Sequence, residues 1–454
     1  MADGASRRRD RIEAEAGLAN QTELTLDEAL DIAARAHRAG DLPVAETLYQ
    51  RILAAMPDHV DALHLYGLLH HGRGQHREAL GLIRRAIAIA PDEPGFHSNL
   101  GNVLFEIDRP DLAVQAYEEA IRLDPGSVAA RNNLGVTLRA VRLPDAAEAI
   151  YREAIAIDPN HRDTWDNLGR LLAARGRIRE AIGCHARALE LEPANAATRR
   201  YLVAAYAATG EADKALPILH AWLRDEPDSP SARHLLAAIS GENVPDRASD
   251  RYVASLFDSF AATFDHKLAR LDYRAPELVA EAVAASQDKA TAGLVILDAG
   301  CGTGLCGPAL KPFAAHLAGI DLSPRMLERA AQRNLYDVLE EVELTAFLEA
   351  HPGRYDLIVS ADTLCYFGRL DRVFAAAAAA LRPGGRLVFS IESSESADGF
   401  TLHGHGRYSH ARSYVEDALG AAGLILLGAR PGVLRMERGD PVAGLVLTAG
   451  GGTD

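Results

Sequence analysis

The chain has 454 residues, a formal net charge of −15 shared about equally by its two halves, and 48% hydrophobic residues. This length exceeds one ordinary core and predicts two or three domains, while an acidic balance without a concentrated Lys/Arg patch argues against a nucleic-acid backbone as substrate. The cysteines at 184, 301, 306 and 365 show no metal-ligand pairing and fit reduced thiols, and the most apolar helical run, 373–381, is far short of a membrane span, so a cytoplasmic protein that touches no membrane is expected.

Residues 1–24 open with Arg7, Arg8 and Arg9 followed by Asp10, Glu13 and Glu15, the composition of a solvated flexible tail. From there to 240 the chain repeats itself. Prolines stand at 57, 91, 125, 159, 193 and 227, each 34 residues from the last. Gly67, Gly101, Gly135 and Gly169 keep the same step, as do Ala45, Ala79, Ala113, Ala147, Ala181 and Ala215. Antiparallel helices approach closely where small residues face each other, and proline falls where a repeat's second helix has ended. A 34-residue period is the tetratricopeptide signature, so six repeats are expected over about 26–227, closed by a capping helix at 230–239.

Asn99, Asn133 and Asn167 precede the Leu-Gly pair of three successive repeats and form a ladder on the first helices. A row of carboxamides suits the backbone of an extended protein or peptide partner in the groove. It suits equally well hydrogen bonds inside the solenoid, and both readings stand.

Residues 241–250 are polar with Gly and Pro and read as a linker to a second domain at 251–454. Its first feature is a helical aromatic pattern, Leu256, Phe257, Phe260, Phe264 and Leu268. The next is a buried-strand run at 294–299 ending in Asp298, then Gly300, Gly302 and Gly304 at alternate positions. This is not the dinucleotide fingerprint, because Leu305 stands where G-x-G-x-x-G needs glycine, and Asp298 would repel a diphosphate. A cofactor bearing an ammonium and a sulfonium suits it better. Glycines let the backbone come close to it, and Asp321, at the end of a second strand, is placed for ribose hydroxyls.

Taken in order, D-A-G-C-G-T-G from 298, G-I-D-L-S-P-R-M-L from 319, Y-D-L-I-V-S-A-D from 355 and L-R-P-G-G-R-L from 381 resemble the successive motifs of class I S-adenosylmethionine-dependent methyltransferases over roughly 250–450. The resemblance implies an α/β Rossmann-like domain after the all-α tetratricopeptide solenoid, with S-adenosyl-L-methionine as cofactor. It assigns Asp298, Gly300, Cys301, Gly302, Gly304, Asp321 and Leu322 to cofactor binding, Glu343 to the adenine amino group, and Asp362 to the cofactor or acceptor. The aromatic segment 257–265 resembles the F-D-x-x-A-x-x-F-D helix that closes over the cofactor in similar enzymes, bringing in Phe264 and His266.

Strands are expected at 342–344, 355–361, 386–392, 424–427 and 442–448, with helices at 369–381 and 409–422, an alternation that gives a mostly parallel sheet covered on both faces. Methyl transfer is an in-line displacement that places its reactants and demands a base only for a protonated acceptor. The catalytic candidates lie in 402–410, where His403, Arg407, Tyr408 and His410 suggest a substrate-facing loop: Arg407 for a carboxylate or phosphate, His410 or Tyr408 as base or donor, and Ser409 as cap of the following helix. No carboxylate or cysteine accompanies the histidines there, and no metal is expected. The acceptor stays open among a small molecule or carrier-bound acid, a protein held by the repeats, and an interaction scaffold whose methyltransferase fold has no turnover.

Overall fold

The structure is a computed structural model describing residues 24–261, 264–265, 268, 271–286, 293–394, 399–437 and 440–451. The tail 1–23 and His266 lie outside the described residues. Two compact units divide the chain at Leu171/Leu172.

Paired helices follow the predicted period. They are α1 Leu26–Arg38 and α2 Leu42–Ala55, α3 Val60–Gly72 and α4 His76–Ile89, α5 Pro94–Glu106 and α6 Pro110–Leu123, and α7 Val128–Ala140 and α8 Pro144–Ile157. Then come α9 Arg162–Ala174 and α10 Ile178–Leu191, α11 Ala196–Ala208 and α12 Ala212–Asp225, and the closing helix α13 Pro230–Ser240. The repeat glycines do what the pattern requires of them. A Cβ on Gly101 would come within 2.6 Å of the Tyr117 ring, and one on Gly67 within 2.8 Å of Ile83, so the helices of a pair touch at a spacing only glycine permits. A second period, unread in the sequence, marks the turn inside each pair. Residues 40, 74, 108, 142, 176 and 210 all take positive φ; four are glycines, but Asp108 (57°) and Arg142 (63°) occupy the same left-handed position with a side chain.

After α14 Asp250–Asp258 and α15 Ala275–Ser286 comes a nine-stranded sheet. Its strands are β1 Leu294–Ala299, β2 Ala314–Asp321, β3 Val338–Glu341, β4 Tyr355–Ser360, β5 Leu381–Ser393, β6 Phe400–Leu402, β7 Tyr408–His410, β8 Leu424–Glu437 and β9 Asp440–Gly451. The order β3-β2-β1-β4-β5 is parallel, and β9 pairs antiparallel with both β5 and β8. The helices between strands are α16 Gly307–Leu310, α17 Pro324–Gln332, α18 Leu344–Ala350, α19 Asp371–Ala380 and α20 Arg412–Ala421. Two hydrophobic clusters cover the sheet, one around Phe347, Phe374 and Phe389 and the other around Val279, Ile296 and Leu317. This is the Rossmann-like arrangement expected after the repeats.

Local details differ. The third strand is Val338–Glu341 rather than 342–344, because Glu343 accepts the Ala346 N–H at 2.8 Å and so starts α18 as its N-cap. Ser409 is no cap: it is buried in β7, which pairs with β6 and β5, and α20 begins only after Ala411. The strand expected at 424–427 continues to Glu437, paired throughout with β9.

Within the second unit, α11 and α13 pack directly on the α/β domain. His234 of α13 bonds the Gly406 carbonyl through Nε2 at 2.8 Å and stacks on Tyr252 with ring centroids 4.2 Å apart, and a Cβ on Gly404 would meet Ala207 and Ile239. The 241–250 segment is bonded as well. The Asp246 carbonyl accepts the Gly368 and Arg369 N–H groups, each at 2.8 Å, and the Pro245 carbonyl accepts the Tyr408 hydroxyl at 2.8 Å.

Candidate cofactor and acceptor site

The carboxyl ends of β1, β2 and β4 open onto a cavity of about 340 Å³. Gly300 (φ 79°), Gly302 (55°) and Gly304 (80°) all take the left-handed conformation that the tight turn after β1 demands. Their surroundings differ. Gly300 leaves no room for a Cβ beside Thr363, Gly304 backs onto Tyr336 at 2.9 Å, and Gly302 has no described residue within 4 Å of where its Cβ would be. Gly300, Cys301 and Gly302 line the cavity, whereas Gly304 shapes the turn behind it.

Asp298 and Asp321 reach the wall from two strand ends. Asp321 accepts the Gly302 N–H and the Ser323 N–H, each at 2.9 Å, which fixes its carboxylate beneath the loop. Burial raises its pKa against the pull of those two bonds. Asp298 is 1% exposed and accepts the Tyr336 hydroxyl at 2.6 Å. Burial pushes it up to about 7, only partly opposed by Tyr336. Leu322, Glu343 and Asp362 also line the cavity.

Phe257, Phe260 and Phe264 form an aromatic wall, with Phe260 and Phe264 stacked at 5.8 Å. The acids of this aromatic segment latch it down. Asp265 accepts Thr303 Oγ1 of the glycine loop at 2.5 Å and pairs with Arg333 at 2.6 Å, while Asp258 accepts Ser323 Oγ at 2.6 Å. The same Ser323 thus donates to Asp258 and bonds Asp321 through its N–H, tying the aromatic wall to the strand end beneath the glycine loop.

A buried ionic cluster also meets the cavity, which Asp362, Arg407, Arg435 and Glu437 line. Arg435, 4% exposed, binds both Asp362 oxygens at 2.8 and 2.9 Å, pairs with Glu437 at 2.6 Å and also with Glu392. Arg407 binds Glu392 at 2.7 Å and pairs with Glu437. Burial works against ionising Glu437 and Glu392, but the two guanidinium groups outweigh it, holding Glu437 down to about 2 and Glu392 below its ordinary value. Asp362 is the exception, its burial outweighing Arg435 and raising it. It also holds a left-handed backbone at φ 55°, a strained conformation for a non-glycine residue.

Of the four candidates in 402–410, Arg407 lines the cavity. The other three side chains are engaged elsewhere. His410 is fully buried with Nε2 bonded to the Phe367 and Gly368 carbonyls, and burial lowers it to about 4. Tyr408, also fully buried, donates to the Pro245 carbonyl, and His403 bonds Ser409 Oγ at 2.7 Å. These groups brace the loop that presents Arg407. The sequence reading missed Tyr336, Glu392, Arg435 and Glu437, which belong to the site through contacts with residues 15 to 73 positions away.

The asparagine ladder is engaged within its own unit. Asn99 bonds His64 at 2.9 Å, Asn133 donates to Asn102 at 3.0 Å and Asn167 donates to Asn132 at 2.9 Å, each crossing to the preceding repeat.

Comparison with known proteins matches a methyltransferase domain family at 297–387 and tetratricopeptide repeat families at 30–94, 98–162 and 172–239. The chain is 35% identical over 104 residues to a ubiquinone biosynthesis O-methyltransferase of Thiobacillus denitrificans, covering 22% of this chain and 44% of that one. It is 35% identical over 111 residues to human methyltransferase-like protein 27, covering 24% and 43%. The chain thus spans less than half the length of these relatives. Among solved structures it is similar to MamA at 25% identity, over 36% of this chain and 95% of that one, with a TM-score of 0.33. The protein therefore carries tetratricopeptide repeats followed by a class I methyltransferase domain. No helix among the described residues is long and apolar enough to cross a membrane.

Proposed function

We propose that the chain transfers the methyl group of S-adenosylmethionine to a small or carrier-tethered carboxylic acid seated at the arginine end of the cavity. The observation that carries the reading is the open space over Gly302, between two buried strand-end carboxylates and three phenylalanine rings. A Cβ there would enter the cavity, and nothing among the described residues occupies that position. When bound, the cofactor supplies an electrophilic methyl group on a sulfonium.

The chain's own groups do the rest. Asp298, held by Tyr336, suits the ammonium, and Asp321, fixed by two N–H donors, keeps lone pairs for the ribose hydroxyls. The phenylalanine rings exclude water and favour a cation at their faces. Arg407 has Nε and Nη2 committed to Glu392 and Glu437, while its Nη1 has no hydrogen-bond partner among the described residues and suits an acceptor carboxylate. A carboxylate is already deprotonated at neutral pH, so an in-line attack by its oxygen requires no base. Placement of the acceptor is then the main task of this end of the cavity.

The test is transfer of tritiated methyl from the cofactor by the full chain in cell lysate, resolved into small-molecule and protein fractions, with Gly302→Val beside it. Label in a small-molecule methyl ester that base releases, formed as the cofactor leaves as S-adenosylhomocysteine and lost in the variant, supports the reading. Label on a polypeptide's own side chains, rather than on a tethered acyl group, moves the acceptor to a polypeptide. Failure of the parent to bind S-adenosylhomocysteine in calorimetry overturns the cofactor assignment.

A further inference from the structure

His76 and Glu106 break the repeat pattern in the first unit, and His71 stands beside them. One period before and after Glu106 the chain carries Gly72 and Ala140, and one period before and after His76 it carries Leu42 and Pro110, so neither is a residue that the repeat copies, whereas His71 falls between His37 and Phe105. They come from the end of α3, the start of α4 and the end of α5, and they converge. His71 Nδ1 lies 3.6 Å and His76 Nδ1 3.9 Å from Glu106 Oε2, and the three ligand atoms are all within 4.8 Å of one another.

Both Nδ1 atoms are buried and have no hydrogen-bond partner among the described residues. Leaving two imidazole nitrogens unpaired in one place is costly unless something binds between them. Glu106 is itself ill placed for helix stability, since a carboxylate on the last residue of a helix meets the negative end of the dipole. The distances are too long for hydrogen bonds but need only a modest closure for a central cation. Ligands about 2.0–2.1 Å from a tetrahedral zinc ion stand roughly 3.3 Å apart.

We propose that His71, His76 and Glu106 form a site for a zinc-type divalent ion, bound by two imidazole nitrogens and one carboxylate, with the fourth position open to water or to a ligand from another molecule. Two neutral nitrogens and one oxygen select a borderline transition metal over magnesium or calcium, which take oxygen ligands. The ion would tie together α3, α4 and α5, and with them two successive repeats. Its position is on the tetratricopeptide unit, and the inference does not depend on the methyltransferase reading.

The experiment uses the full chain, stripped with chelator and titrated with zinc chloride and separately with magnesium chloride in calorimetry, beside a His71→Gln/His76→Gln double variant and Glu106→Gln. The expected result is one zinc per chain, no magnesium binding, and a rise in melting temperature on zinc addition. Loss of outer-shell partners already costs metal sites roughly 10–100-fold in affinity, so loss of two ligands should exceed this. Cobalt substitution supplies an independent readout: a tetrahedral visible spectrum in the parent that is missing from the double variant. Equal zinc affinity in parent and double variant, when both melt at the same temperature without metal, overturns the proposal. So does a parent that binds no zinc.

Discussion

The helices before Leu171 and those from Leu172 to Ser240 follow one repeat pattern yet have different neighbours. The first eight helices find their partners inside the solenoid: tyrosines against repeat glycines, asparagines bonded to the preceding repeat. The last ones belong to the same compact unit as the α/β domain, because α11 and α13 present Ala207, His234 and Ile239 to the 403–407 turn and Tyr252. A repeat fixes how neighbouring helices stack. Which repeats become part of another domain is decided by side chains the repeat does not copy. His234 is one of them, and it holds the carbonyl of Gly406, next to the Arg407 that lines the cavity.

That contrast predicts its largest effect in truncation. A chain starting at Arg175 should keep a folded α/β domain that binds S-adenosylhomocysteine. One starting at Val244 loses the His234 bond and the cover over Tyr252 and Gly404, and should be destabilised on the order of 3 kcal/mol or more. Denaturant unfolding of both pieces is the measurement, and equal stability would mean that the terminal helices only rest on the domain.

Next is the ladder. Replacing Asn99, Asn133 and Asn167 together by alanine should lower the stability of the first unit by about 2–4 kcal/mol, since each removes a bond between repeats and leaves a polar partner behind. Cofactor affinity should not change. A triple variant that melts with the parent but loses a bound protein would return the asparagines to peptide recognition.

A smaller effect separates the site from the solenoid by pH. Asp298 sits at about 7 in the folded chain because burial opposes its charge, so its contribution to folding is present at low pH and is lost as pH rises from the ordinary carboxyl range through about 7. A cofactor ammonium favours the carboxylate, so affinity should run the opposite way, rising with pH up to about 7 by at most tenfold per unit. Calorimetry of S-adenosylhomocysteine across this range should show the slope in the parent and a flat profile in Asp298→Asn.

The smallest effect is a gain. Arg142 holds at φ 63° the turn position that glycine fills at 40, 74, 176 and 210. Arg142→Gly should therefore stabilise the first unit by about 1 kcal/mol, as relief of left-handed strain exceeds the added chain entropy. An unchanged melting temperature would show that the arginine side chain makes compensating contacts.

Much of the site was legible because its glycines and strand-end acids answer to local rules. A sharp turn after a buried strand needs positive φ, and an acid at a strand's carboxyl end in a parallel sheet faces the ligand crevice, so Gly300, Gly302, Asp298 and Asp321 could be picked out along the chain. The loop at 402–410 was legible only as unusual composition. His410 and Tyr408 turned inward to backbone carbonyls of 245, 367 and 368, and no periodicity reports a carbonyl that a different segment leaves unpaired.

The sequence by itself determined the two architectures, since the 34-residue period and the strand-turn-acid motifs are short-range consequences of helix and strand geometry. The tertiary structure alone decided the rest: that Glu392, Arg407, Arg435 and Glu437 close one end of the cavity as a charged cluster, that Asp265 and Asp258 latch the aromatic wall, and that α13 joins the α/β unit. Each of these joins side chains from distant segments, and buried charges select partners by proximity in space, which no spacing along the chain encodes.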